Sequence, residues 1–95
     1  MLNFDLDYAN ERIDCIKQTY KNMLDLYEQI KYINPSNDTI SNLDELYTSI
    51  NVDISNYYKY LEKTGVPIED SYLTSWLDIN DCYYYFENIE YFLQN

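Results

Sequence analysis

The sequence predicts an all-α protein, an elongated up-down-up three-helix bundle forming a single helical domain over residues 1–95. Three observations predict it. Apolar and aromatic residues recur at alternating spacings of three and four along most of the chain, the period of one face of an α-helix. The helix breakers gather in two places, Pro35 in one and Gly65 with Pro67 in the other. The segments at those places are short, and short connections between long helices make neighbours antiparallel.

The first helix is expected over about residues 4–32. Leu2, Leu6, Ala9, Ile13, Ile16, Tyr20, Met23, Tyr27 and Ile30 form its apolar stripe, in the pattern of helices packed at a shallow left-handed angle. Pro35 ends it, because the proline ring disfavours the α region for Asn34. In the loop that follows, Ser36, Asn37 or Asp38 can cap the next helix by accepting a bond from an orphan backbone N–H. That second helix is expected over 38–63, with Ile40, Leu43, Tyr47, Ile50, Ile54, Tyr57 and Leu61 as its stripe. The stretch from Thr48 to Ser55 is rich in β-branched and small polar residues of low helix propensity, so a local irregularity is expected there. Lys59 and Lys63 suit the negative end of the helix dipole, Gly65 suits a left-handed residue after the last turn, and Pro67 follows. The third helix is expected over 68–94, with Glu69 and Asp70 in its first turn and a core stripe of Tyr72, Trp76, Ile79, Tyr83, Phe86 and Leu93.

Composition narrows the function by exclusion. Histidine is absent, which removes the commonest general base and the commonest metal ligand. Cys15 and Cys82, without histidine, make no zinc site, and neither has the partner that activates a thiol nucleophile, although Arg12 lies near Cys15 in sequence. The only glycine is Gly65, so no glycine-rich phosphate loop exists. Asp5-Leu6-Asp7 lacks the further ligand and glycine of a calcium loop. A small bundle offers no deep cleft in which one of many carboxylates would have its pKa raised for catalysis. The expectation is a non-catalytic protein with no cofactor. No apolar run reaches the ~20 residues that span a bilayer, and Met1-Leu2-Asn3-Phe4-Asp5 lacks the basic and apolar regions of a signal peptide. A cytoplasmic location, the host's if the gene is phage-borne, and two reduced thiols are therefore expected.

Charge points to a partner. Seventeen acids face six bases, for a net charge of −11. Such a field repels nucleic acid and anionic membranes and attracts basic proteins. From Thr64 to Asn95 there is no base, and the stretch carries Glu69, Asp70, Asp78, Asp81, Glu87 and Glu90 among eight aromatics. At ~100° per residue, Leu73, Leu77, Tyr84 and Tyr91 fall on a second side of the third helix, with Asp70, Asp81 and Glu87 around them. The expected partner-binding set is Asp70, Leu73, Leu77, Asp78, Asp81, Tyr84, Glu87 and Tyr91, an aromatic surface with an acidic rim.

In size and composition alone, the chain resembles small phage-encoded inhibitors of CRISPR or restriction enzymes, and also bacterial immunity proteins. No motif carries the resemblance; the Trp-X-Gly turn of small secretion partners is absent, since Leu77-Asp78 follows Trp76. The resemblance implies either an inhibitor of a basic nucleic-acid-binding protein, acting in part as a nucleic-acid mimic, or an acidic immunity protein or chaperone for a basic toxin or effector. A third reading is a structural subunit that forms a homodimer through helix 3. None of the three binds nucleic acid or membrane directly.

Overall fold

A computed structural model describes residues 2–94, and all regular structure among them is helical. α1 spans Leu6–Ile30 and α2 spans Asn37–Thr64. A single 3-10 turn at Ile68–Asp70 leads into α3, Tyr72–Ile79, and α4, Cys82–Gln94. The molecule is elongated, 48 × 23 × 20 Å.

The caps explain where the first two helices begin and end. α1 starts at Leu6 because the Asp5 side chain accepts from the Tyr8 N–H at 3.2 Å. Leu2 and Leu6, expected in the stripe, are exposed, while Ala9, Ile13, Ile16, Tyr20, Met23 and Ile30 are buried. The Asp5 N–H also donates to the Tyr60 hydroxyl at 2.7 Å, pinning the start of the chain to α2. α2 is capped by Ser36, whose Oγ accepts from the Thr39 N–H at 3.3 Å. Its other end is a paired closure around Gly65, at φ 77°. The Gly65 N–H donates to the Glu62 carbonyl and the Val66 N–H to the Leu61 carbonyl, satisfying carbonyls the helix leaves open. The irregularity expected between Thr48 and Ser55 does not occur, and α2 is continuous. Ile50 and Ile54, buried against α1 and the rest of the core, outweigh the weak local propensity.

Aromatic contacts fix the directions of the elements. Tyr20 of α1 meets Phe86 at 5.8 Å, and Tyr27, two turns further on, meets Phe92 at 5.8 Å, so α4 runs parallel to α1. On α2 the order reverses: Tyr58 bonds Thr74 and Tyr47 bonds Glu90, making α2 antiparallel to both.

The expected third helix over 68–94 is instead two helices, and this is the main correction to the fold. The break lies at Asn80-Asp81, where Asp81 has φ 52°. Asparagine and aspartate tolerate the left-handed region better than most residues do. The Asn80 Nδ2 donates to the Trp76 carbonyl at 2.9 Å and the Asp81 N–H to the Asp78 carbonyl at 3.2 Å, closing the end of α3. The break resets the phase of the apolar stripe. Buried residues run Leu73, Leu77, Cys82, Phe86, Ile89. The step from 77 to 82 is five residues, about 140° out of phase on a continuous helix at ~100° per residue. Only a break brings both halves onto the core. Tyr72, Ile79 and Tyr83, expected in the stripe, are exposed; Phe86 is buried as expected, and Trp76 and Leu93 pack partly buried against the core. Glu69 and Asp70 lie in the 3-10 turn, ahead of α3 rather than within its first turn. Ser71, itself buried, caps α3 through the Leu73 N–H.

Candidate functional site

Because α1 and α4 are parallel, their C-terminal ends meet at one end of the molecule. Beside the end of α1, and running along α4 from its first turn to its last, lies an open groove of ≈ 520 Å³ walled by Tyr27 and Tyr32 on one side and by Tyr84, Tyr85, Tyr91 and Phe92 on the other. Tyr27 and Phe92 meet edge to face across it, with centroids 5.8 Å apart. Tyr84 and Tyr85 also meet edge to face, with centroids 5.3 Å apart. Tyr32, Tyr91 and Tyr84 are 88%, 72% and 63% exposed, so the walls present ring surface to solvent. A second hollow of similar volume, from Tyr47 to Lys59, is lined by α2 alone and carries one aromatic. The first has the richer recognition chemistry, because large rigid rings from two elements face one space.

One cation already sits in the groove. Lys31, the residue closing α1, bonds Glu28 at 2.6 Å. Its Nζ lies 5.0 Å from the Tyr32 ring centre and 5.7 Å from that of Tyr27, within reach of the negative ring faces. The bond to Glu28 holds the ammonium above the usual lysine pKa. Neither α1 nor α4 has a basic residue in its last turn, so the negative ends of two helix dipoles converge here with no cation from their own last turns.

Elsewhere the acidity is uncompensated. Sixteen of the seventeen acids are exposed, with Asp53 half-buried. Glu28–Lys31 is the one ion pair among the described residues. Lys17 turns to aromatics as well, bonding the Tyr72 hydroxyl at 2.8 Å and lying 5.5 Å from the Trp76 ring.

The structure divides the expected partner-binding residues. Leu73 and Leu77 are fully buried and belong to the core; the break at Asp81 rotated α3 and α4 independently, and the face drawn across a continuous helix does not exist. Tyr84 and Tyr91 are exposed and come together in the groove. Glu87, also exposed, lies three residues after Tyr84 and four before Tyr91, on the same helix face. Asp81 is at the junction, and Asp78 is exposed on α3. Asp70 is in the 3-10 turn before α3, on the order of 30 Å along the arm from Tyr91 at ~1.5 Å per helical residue. Glu90, a further acid of the arm, accepts from Tyr47 on α2. The acids form a broad field and not a single rim. Tyr27, Lys31, Tyr32, Tyr85 and Phe92 were missed from the site. Only the exposed Tyr32-Ile33 pair beyond the end of a helix could have signalled it.

Titration is perturbed mainly in the interior. Tyr20 is buried, its hydroxyl finds no hydrogen-bond partner among the described residues, and burial raises its pKa. The Cys82 thiol beside it, also raised by burial, is at most a weak partner. Cys15 is exposed on α1, and both cysteines are free thiols. No described helix is long and apolar enough to cross a membrane. No family model matches this chain, and neither a curated protein nor a solved structure matches it.

Proposed function

We propose that the protein is a small, non-catalytic inhibitor that binds a basic, nucleic-acid-handling protein of the host cytoplasm, with the groove at the ends of α1 and α4 as its anchor. The observation that carries this reading is the acidic surface, seventeen acids with one ion pair among the described residues, beside exposed tyrosines. Acids without partners steer a basic protein to the surface and speed its capture. Tyrosine rings then supply contact area at low entropic cost.

Magnitudes limit the mimicry. A single nucleic-acid strand carries one charge per ~3.4 Å and a duplex one per ~1.7 Å. Along the 48 Å axis these give about 14 and about 28 charges. The net −11 matches the single strand more nearly, so the protein imitates nucleic acid in part and relies on its aromatics for the rest. Self-association through α4 is the weaker reading. A two-fold contact sets each patch against its own copy, which would bring Glu87 and Glu90 against the same residues with no base on the arm to offset them.

The test is capture of the partner from lysate, followed by competition with its nucleic acid. Binding that excludes the nucleic acid, and weakens to a plateau as salt screens the acids, supports the reading. A partner that holds its nucleic acid equally well with this protein attached removes it, and the immunity-protein or chaperone reading takes its place.

A further inference from the structure

We infer that the groove between the C-terminal ends of α1 and α4 is a receptor for an arginine side chain on a basic segment of the partner, and that Lys31 is an internal placeholder for it. This rests on the reading above only for the partner's basic character. Three observations converge. The walls are aromatic and exposed, with Tyr32, Tyr84 and Tyr91 presenting rings from both sides. The groove already holds a cation of its own chain, for Lys31 Nζ lies over Tyr32 and Tyr27. And at the Tyr91–Phe92 end of the groove α4 ends without a basic residue in its last turn, beside the end of α1, where Lys31 is the cap, which leaves that end of the site favourable to positive charge beyond what Lys31 supplies. The nearby positive end of α2 is met by Ser36 and Asp38.

Arginine fits this space better than lysine. Its planar guanidinium stacks on ring faces while its N–H groups point sideways to carboxylates, whereas an ammonium is a compact, strongly hydrated charge. A guanidinium entering beside Tyr84 and Tyr91 has Glu87 on the same helix face, and Glu28 becomes available once Lys31 swings out. Lys31 gives up an ion pair with the exposed Glu28 and its contacts with the Tyr27 and Tyr32 rings, contacts that the incoming guanidinium takes over.

The experiment uses the intact protein and two capped tripeptides of equal charge, triarginine amide and trilysine amide, followed by amide chemical shifts. Triarginine should bind about threefold or more tighter than trilysine, with shifts centred on Tyr32, Tyr84, Asn88 and Tyr91. Lys31→Ala should raise triarginine affinity more than Lys59→Ala does; the second variant makes the same charge change at a residue outside the groove. Tyr84→Ala and Tyr91→Ala, at exposed positions, should erase the preference for arginine. Equal binding of the two peptides, shifts spread over the whole acidic surface, or identical gains from Lys31→Ala and Lys59→Ala would overturn the inference. The nucleic-acid competition can fail while the arginine preference holds, and the reverse, so the two proposals fall separately.

Discussion

Replacing Leu77 and Tyr84 by alanine, one at a time, separates the core from the proposed docking surface within a single arm of the fold. Leu77 is fully buried. Leucine to alanine removes three buried carbons, about 2.4 kcal/mol at ~0.8 kcal/mol each. The cavity left behind adds to this, for a total of about 3 kcal/mol. A 95-residue domain has roughly 5–14 kcal/mol in all, so the variant should lose roughly a fifth to three-fifths of its stability. At roughly 4–8 °C per kcal/mol for a domain of this size, its Tm should fall by about 10 °C or more. Tyr84 is 63% exposed, and its alanine variant should stay within about 0.5 kcal/mol of the parent. Binding should show the opposite order. Folded Leu77→Ala should keep its affinity for the partner, while Tyr84→Ala should release it faster, by about 2 kcal/mol if the ring is an anchor. Urea denaturation gives the first quantity and surface-immobilised binding kinetics the second. A Leu77→Ala protein that loses less than about 1 kcal/mol but no longer binds would refute the division, since a side chain buried in the core costs more than that on truncation.

Two further changes probe the interior and the helix break. Tyr20→Phe should stabilise the protein by about 1 kcal/mol at neutral pH, because it deletes a buried hydroxyl whose one neighbour among the described residues is the weakly bonding Cys82 thiol and keeps the edge-to-face contacts with Trp76 and Phe86. The parent should also lose stability in alkali: burial raises the pKa of Tyr20, Tyr47 and Tyr57 above the ordinary 10.0, so the unfolded chain releases its protons first. That stabilisation is fully present below about pH 10 and lost as pH rises through the folded-state values, and the loss should be shallower in Tyr20→Phe. Thermal melts from pH 7 to 11 test both; a destabilised variant, or a flat alkaline limb, would contradict this account of the core. Asp81→Val should cost about 1–2 kcal/mol, because a β-branched residue resists positive φ, whereas Asp81→Gly should not; equal stability of the two by denaturant titration would mean that the left-handed residue is not what sets the break.

Much of the fold was legible because its cues are local. Proline and glycine punctuation, the Ser36 cap and the closure at Gly65 act within a few residues of themselves, and they placed α1 and α2 to within two residues at each end. The absence of histidine and the charge of −11 likewise set the expected chemistry without reference to any fold. The α3–α4 arm was legible only in part. Its stretch offers Tyr72, Trp76 and Ile79 and, on another side, Leu73 and Leu77 as rival stripes, and both satisfy helical periodicity.

Packing chose between them. Leu73 and Leu77 are fully buried, whereas Tyr72 and Ile79 face water, and the chain turns through Asp81 so that Cys82, Phe86 and Ile89 can reach the same core. The aromatic groove was beyond sequence reasoning for a related reason. Tyr27 and Phe92 are 65 residues apart, and no periodicity along one helix records which face of another lies beside it. The sequence by itself determined that the protein is acidic, through its composition, and helical, through its periodicity and its breakers. Tertiary structure decided which tyrosines share a surface, because burial is settled by contacts between elements and by the phase each helix adopts once its neighbours are in place.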